Sequence, residues 1–586
     1  MSEFRFSPRP NRAAEIAWLA WGPDAFARAA AEEKPILLSI SAVWCHWCHV
    51  MDETTYSDSE VIETINRRYV PVRVDNDRRP DVNARYNMGG WPTTAFLAPD
   101  GTTLTGATYL PPQQLRRALD EIADFYAERK GEIAERAAEL RASAAAHRPS
   151  PDAALSAAPI EGLLEELERN YDVEFGGFGG APKFPQPEVH EFLLTQWRLT
   201  GKPRLYEIVA RTMNAMARGG MYDRVEGGFF RYSTTRDWSV PHFEKMAEDH
   251  AGLVRVLAGL ALFAPTQEFH ATLTSTLGYV TRVLRDPQTG FFAGSQDADE
   301  EYYALPLEER RKLAAPYVDR TSYTNWTAAL AGAQCWAARA LDDDALLAAA
   351  TQTLDGIDRL LIGEDGLLYH VYFPDGTRDV RGLFADHVAY ARALLDAHEI
   401  GGERRFLLRA RAIADAAIGA FAAPSGAFYD RLPEDAFGRL AVTDTPIVEN
   451  GAFADVLLRL AALTGDSGYR VRAESVLRFY GSAALAAGSF AATYARALSR
   501  ALAPELSLRI VGDPASTDAF REAAARLPSP FVAIRTLDSD AAAQLGMPAQ
   551  EAAYLCITGT CGPPVSSAGE LRAAYEDLPA LGAAQR

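Results

Sequence analysis

The spacing of apolar and polar positions changes character twice along the chain. In the first part, short apolar runs alternate with helical stretches. Pro35-Ile36-Leu37-Leu38-Ser39-Ile40-Ser41 reads as a buried strand, and Tyr69-Val70-Pro71-Val72-Arg73-Val74-Asp75 alternates like one. Gly89-Gly90-Trp91-Pro92 leads into a strand over 93–97, and Pro99-Asp100-Gly101 turns it back as a hairpin. Helical spacing fills Val50-Met51-Asp52-Glu53, residues 60–66 and residues 112–129. From 160 to about 503 the period is helical only, and the helices pair. The pairs begin near Glu161 and Glu188, Pro203 and Glu244, Gln267 and Tyr323, Ala345 and Leu383, Glu403 and Ile447, and Gly468 and Ala484. Strands return at Leu506, Phe531 and Ala553, with helices over 518–527 and 568–575. The pattern predicts a multidomain chain, α/β plus all-α, with an α/β domain over 1–135, a linker over 136–159, a helical domain over 160–503 and a small α/β unit over 504–586.

Candidate chemistry concentrates in Trp44-Cys45-His46-Trp47-Cys48-His49, between the first strand and the helix after it. Aligned peptide dipoles at a helix start favour a thiolate. Cys45 is therefore expected to be the nucleophile of a redox Cys-x-x-Cys, with Cys48 resolving and Trp44 and Trp47 as walls. The same string fits c-type haem attachment, but that chemistry needs export and no export signal is read. Zinc on Cys45, Cys48 and one of the two histidines would need further ligands from elsewhere. The expectation is redox chemistry with no cofactor and no metal. Strand, Cys-x-x-Cys helix, strand, Pro-led hairpin and helix is the thioredoxin order. In that fold the proline before the hairpin packs beside the cysteines, usually as a cis peptide, and Trp91-Pro92 is the candidate.

The six helical hairpins are too unevenly spaced for a solenoid, which favours closure into an (α/α)6 toroid. Five of them turn through Gly-aromatic loops: Phe175 to Gly180, Gly227 to Tyr232, Gly290 to Gly294, Gly366 to His370 and Gly426 to Asp430. In an up-down toroid these loops rim one mouth. Polar residues follow them: His242 and Glu244 with Asp249, Asn325-Trp326, Asp386-His387 and Glu449-Asn450. The second loop adds Asp223 and Arg231, and the third adds Asp297 and Asp299. Acids at helix starts are often caps. Several converging on an aromatic-walled mouth resemble a carbohydrate site. His242, Glu244, Asp297, Asp299, Asp386, Arg231 and Asp223 are thus the candidate substrate-binding residues.

Bulk composition narrows the partners. The 586 residues carry a formal net charge of -19, which argues against a nucleic-acid or anionic-membrane surface. No apolar stretch reaches the roughly 18 residues of a membrane span. Five cysteines are few and odd in number for a stapled secreted protein, so the cytoplasm is the expected location. Cys335 reads as core. Cys556 and Cys561 lie close enough to pair or to share a metal, and two ordinary thiols in a loop is the expectation.

Taken together, Val43-Trp44-Cys45-His46-Trp47-Cys48-His49-Val50-Met51, Gly89-Gly90-Trp91-Pro92, Gly176-Gly177-Phe178-Gly179-Gly180-Ala181-Pro182-Lys183-Phe184-Pro185, Gly227-Gly228-Phe229-Phe230-Arg231-Tyr232-Ser233, Val240-Pro241-His242-Phe243-Glu244-Lys245-Met246 and Ser295-Gln296-Asp297-Ala298-Asp299 resemble the thioredoxin-domain-containing spermatogenesis-associated protein 20 family. The resemblance implies a thioredoxin-like domain fused to a six-hairpin toroid similar to those of glycosidases and N-acylglucosamine 2-epimerases. The chain departs from the family in its short stretch from Asp81 to Met88. The expected activity is thiol-disulfide exchange on a protein or small-molecule disulfide. The alternatives are a sugar-processing or sugar-binding toroid, as an isomerase or hydrolase, and a non-catalytic redox-regulated scaffold.

Overall fold

The computed structural model describes residues 4–146, 154–432, 437–512, 514–527, 529–548 and 551–578, so part of the linker expected over 136–159 lies outside the described residues. By contact the chain divides into two units: Met1–Pro149 with Asp430–Asp444, and Ser150–Tyr429 with Thr445–Arg586.

The first unit contains α1 (Pro23–Glu32), β1 (Ile36–Ser41), α2 (His46–Glu53), α3 (Ser59–Arg68), β2 (Val70–Asp75), α4 (Pro80–Tyr86), β3 (Thr93–Leu97), β4 (Thr103–Ala107) and α5 (Pro112–Ala146). Its sheet runs β2-β1-β3-β4, with β1 parallel to β2 and antiparallel to β3. This is the thioredoxin-like arrangement. Strand alternation sorts the core. Ile36, Leu38 and Ile40 meet Val70, Val72, Val74 and Phe26 on one face, and Leu37 and Phe96 meet Met51, Ile62, Ile65 and Leu115 on the other. The first face is completed by Leu440, and Phe437 stacks on Phe26 with ring centroids 5.5 Å apart. Arg73, on the second face, forks onto Asp52 of α2 at 2.8 and 3.0 Å, and both are buried. That pair ties the helix carrying the cysteines to the sheet.

The second unit contains α6 (Ala158–Asn170), α7 (Pro187–Thr200), α8 (Pro203–Arg218), α9 (Ala247–Phe263), α10 (Gln267–Tyr279), the single turns α11 (Glu300–Tyr303) and α12 (Leu307–Arg310), α13 (Thr324–Leu341), α14 (Asp344–Leu360), α15 (Phe384–Gly401), α16 (Arg404–Phe421), α17 (Ile447–Thr464), α18 (Ser467–Tyr480) and α19 (Ala492–Leu502). Helices α7, α9, α13, α15, α17 and α19 each touch the next, and α19 touches α7, so they close a ring. Helices α6, α8, α10, α14, α16 and α18 pack against that ring. The fold is the expected helical toroid. Its sixth inner helix begins at Ala492 rather than near Ala484, because residues 481–491 form a 3-10 stretch broken at Gly488 (φ 56°). That Ala-rich segment carries no polar phase to mark the change.

The chain ends in β5 (Leu506–Val511), α20 (Pro514–Ala525), β6 (Val532–Leu537), α21 (Ser539–Gln544), β7 (Ala552–Ile557), β8 (Thr560–Val565) and α22 (Leu571–Glu576). The strand order is β6-β5-β7-β8, with β5 parallel to β6, antiparallel to β7, and β7 antiparallel to β8. The order and directions repeat those of the first sheet. Cys556 and Cys561 are not separate thiols, as expected from sequence, but a disulfide joining directly opposed residues of β7 and β8. Among the described residues, no helix is long and apolar enough to cross a membrane.

Candidate functional site

Strand β1 delivers the chain to the start of α2, where Cys45 is the N-cap and is bonded to Cys48. Cys45 Sγ accepts a hydrogen bond from the Cys48 N–H at 3.2 Å, and the Cys45 carbonyl accepts from the His49 N–H. The sulfur therefore sits where the helix presents unsatisfied N–H groups and the positive end of its dipole. The Trp91–Pro92 peptide is cis, and the next residue, Thr93, pairs with Ile40 at the end of β1 from which the cysteines follow.

The two tryptophans differ. Trp44 is buried, donates to Asp77 Oδ2 at 2.6 Å and meets Trp91 edge-on. Trp47 is 49% exposed and packs on Tyr109 with centroids 5.1 Å apart. Trp44 thus packs inside the unit and Trp47 lies at its surface. Burial, with Arg5 nearby, pushes His49 down to about 4, so its imidazole is neutral at pH 7 and gives the sulfur no cationic partner.

In the toroid the five Gly-aromatic turns are one repeated device. After each of these outer helices a residue bridges to an apolar residue just past the glycines: Tyr171 to Phe178, Tyr222 to Phe229, Arg285 to Phe292, Ile362 to Leu368 and Ala422 to Phe428. At Gly228 (φ 84°) an added Cβ would lie 2.6 Å from Tyr279 and 2.8 Å from His250, so only glycine fits. In three of the five turns the fourth residue of the following inner helix then secures the turn. His250 accepts the Phe229 N–H, His387 the Leu368 N–H and Asn450 the Phe428 N–H. Lysines repeat as well. Lys183 holds Asp172 and the Gly176 carbonyl, and Lys245 holds Asp223 and the Gly227 carbonyl. Burial pushes Lys245 down to about 8 despite Asp223.

Helical phase separates these staples from the cavity. Position 4 of each inner helix points away from position 2, which lies about 200° behind it. Position 2 is Glu188, Glu248, Asn325, Ala385, Val448 and Thr493, and all six line one cavity of about 180 Å³. Trp326 and Glu449 join them. Glu188 and Glu248 line this cavity and are exposed to solvent. Crowding by the surrounding protein, with the neighbouring Asp249 and Glu188 carboxylates, raises Glu248 above the usual carboxylate range. Burial, with Glu188 and Glu244, pushes Asp249 up to about 7 against Arg231. Glu188 is raised too.

The inner helices are joined by buried and half-buried charges, of which Glu191, Arg255 and Arg392 also line the cavity. Asp396 binds Arg255 and Arg459, the latter at 2.9 Å. Glu191 binds Arg392 and Arg496, and Asp455 binds Arg496 and Arg500 at 2.9 and 2.6 Å.

The residues expected to bind substrate do not meet in that cavity. Asp223 lies in a buried cluster with Lys245 and Arg310. Asp299 caps α11 through the Tyr302 N–H, and Asp297 donates its backbone N–H to the Tyr317 carbonyl. Asp386 is buried against His370 at 2.9 Å. His242 Nδ1 meets the fully buried Glu244 at 2.5 Å, and Arg231 donates its backbone N–H to the Glu244 carbonyl. Sequence reading passed over Glu188 and Glu248 as cavity groups, although each is the second residue of an inner helix.

Residues 9–145 match the family model Thioredox_DsbH, described as a protein of unknown function, DUF255. Spermatogenesis-associated protein 20 of Rattus norvegicus is 35% identical over 309 residues, which span 48% of this chain and 39% of that protein. Its Homo sapiens counterpart is 36% identical over 332 residues, 52% of this chain and 41% of that protein. The matched segment thus spans about two fifths of these relatives' length. The cellobiose 2-epimerase of Spirochaeta thermophila is similar at a TM-score of 0.45 and 17% identity, covering 56% of this chain and 83% of the enzyme. Residues 9–145 are thus similar to a thioredoxin DsbH-like family model, and about half of the chain is similar to part of spermatogenesis-associated protein 20, in line with the motifs that carry the resemblance.

Proposed function

We propose that the chain catalyses thiol-disulfide exchange at Cys45 and Cys48. The reading is carried by one observation: the two sulfurs are paired at the N-terminus of α2, with Cys45 as its cap. In the reduced form the Cys45 thiol loses its proton, and the helix N-terminus stabilises the thiolate. That thiolate attacks one sulfur of a substrate disulfide, whose partner sulfur leaves as a thiolate. Cys48, deprotonated in turn, attacks Cys45 Sγ and releases the second substrate thiol. Two electrons pass to the substrate, and an external dithiol restores the Cys45 and Cys48 thiols. Exposed Trp47 offers an apolar surface to a protein or small-molecule disulfide. The test is reduction of insulin disulfides by dithiothreitol, accelerated by the wild-type chain and not by Cys45→Ser.

The cavity favours a second reading, a sugar ligand in the toroid. Its support is Trp326 beside Glu188, Glu248 and Glu449, a ring to stack on a sugar face and carboxyls poised for both acid and base roles. A cavity of roughly 150 Å³ holds a benzene-sized ring in another protein. Titration with mono- and disaccharides is expected to release heat that Glu248→Gln removes. No heat, with no epimerase or hydrolase turnover, contradicts this reading.

A further inference from the structure

We propose that the toroid holds a second binding site, a cationic chamber at the far end of its axis that takes a phosphate group, carried by a small monoester or free in solution. The inner helices line two cavities in turn. On α7, Glu188 lines the first and Thr195 and Arg198 the second. On α9, α13 and α19 the same order gives Glu248 then Gly259, Trp326 then Trp336, and Thr493 then Arg500. Glu191 and Arg255 line both. The second cavity measures about 90 Å³, and Pro530 and Phe531, just before β6, complete its lining. One water needs roughly 10–15 Å³, so a phosphate group has room.

Charge sets the chemistry of this chamber. Five arginines line it, Arg198, Arg255, Arg459, Arg496 and Arg500, against three carboxylates, Glu191, Asp396 and Glu399. Their ion-pair partners outside the lining, Arg392 and Asp455, add one charge of each sign. An excess of two positive charges therefore gathers here, in a chain whose formal net charge is -19. Among the described residues Arg198 has no carboxylate partner, and its Nη2 donates to the Leu527 and Ser529 carbonyls at 2.8 and 3.0 Å. Desolvation by the surrounding protein lowers Arg198, and it lowers Arg500 despite Asp455. Against the same desolvation, Glu399 and Asp396 raise Arg459. The unmet charge thus lies on the side of Arg198 and Arg500.

Hydrogen bonding points the same way. Among the described residues of the lining, two buried side-chain atoms have no hydrogen-bond partner, Arg198 Nε and Trp336 Nε1, and both are donors. Donors left over in a cationic chamber call for an acceptor that carries negative charge. The Arg198 guanidinium lies 3.6 Å from the Phe263 ring centroid and that of Arg500 4.3 Å from Phe531, contacts that leave N–H edges for a forked bond to oxygen. A helix dipole favours a cation in the last turn, where Arg198 and Arg500 stand, but it gives neither orphaned donor an acceptor. A phosphate monoester carries roughly −1.5 to −2 charges near pH 7 and three acceptor oxygens, which matches both the charge and the donors. A carboxylate would leave one positive charge over.

The test is isothermal titration of the full-length chain, in phosphate-free buffer of constant low ionic strength, with glycerol 3-phosphate, inorganic phosphate and, as the neutral control, glycerol. At least one of the two phosphates should bind at one site per chain with a Kd below about 1 mM, and glycerol should release no heat. Tighter binding of glycerol 3-phosphate assigns the chamber to a monoester, and tighter binding of inorganic phosphate assigns it to the free ion. Arg198→Gln and Trp336→Phe, which each remove an orphaned donor, should weaken binding about tenfold or more. Circular dichroism of the ligand-free proteins checks their folding, and Trp336→Phe keeps the packing of an aromatic ring. No saturable heat from either phosphate overturns the inference. So does an affinity unchanged in Arg198→Gln, or in Trp336→Phe should Arg198→Gln fail to fold, because the anion then sits elsewhere.

Discussion

Cys45→Ser will lower catalysed disulfide reduction roughly 100-fold or more, because a hydroxyl at this position cannot become the attacking anion near neutral pH. The loss should be chemical rather than structural. Serine is a good N-cap, so α2 keeps its start, and the Asp52–Arg73 pair still ties that helix to β2. Cys48→Ser should fail differently. Its Cys45 should still attack, so the variant is expected to complete the first half-reaction and stall as a mixed disulfide. A burst of about one equivalent of thiol, followed by slow turnover, distinguishes the two variants. Equal and complete loss in both, with no trapped intermediate, would contradict the assigned roles.

Asp396→Ala will destabilise the helical unit by about 3–5 kcal/mol, the usual cost of breaking a buried ion pair from one side. Arg255 of α9 and Arg459 of α17 both converge on this carboxylate of α15, and a Cβ at Gly332 of α13 would lie 2.9 Å from it. Burial opposes ionisation of Asp396, but the three arginines around it hold its carboxyl below the usual range. Removing it leaves Arg255 without its carboxylate and Arg459 with only Glu399. The control is Asp355→Ala, which breaks a half-exposed pair with Arg405 and should change stability by less than about 1 kcal/mol. Urea unfolding followed by helical circular dichroism reads both. A shift for Asp396→Ala no larger than the control would mean that the axial charges do not hold the ring.

Much of the architecture was legible because it repeats. The inner and outer helices share a 3.6-residue period, and five turns share glycines and an aromatic or leucine, so hairpin count and closure followed from pattern alone. The site was less legible, for a reason of phase. His387 and Asn450 stand beside Asp386 and Glu449 in sequence, yet at position 4 they face the turns and spend their polarity on backbone N–H groups. Glu188 and Glu248 look like ordinary helix-start acids, and only their common position 2 reveals that they face the axis. Spacing showed that Cys556 and Cys561 are near, but not that a hairpin register opposes them. The place of Phe437 and Leu440 in the first unit's core had no local signal, because their partners lie more than 300 residues earlier in the chain.

The most direct measurement is the pH dependence of iodoacetamide alkylation of the reduced full-length chain, resolved by peptide mass for Cys45 and Cys48 separately. A nucleophile at a helix N-terminus requires Cys45 to react first, with an apparent pKa below the roughly 8.5 of a free cysteine. His49 is neutral in this range, so His49→Phe should leave that pKa in place. An apparent pKa for Cys45 at or above the free value, or faster alkylation of Cys48, would contradict Cys45 as the attacking thiol and the exchange function built on it.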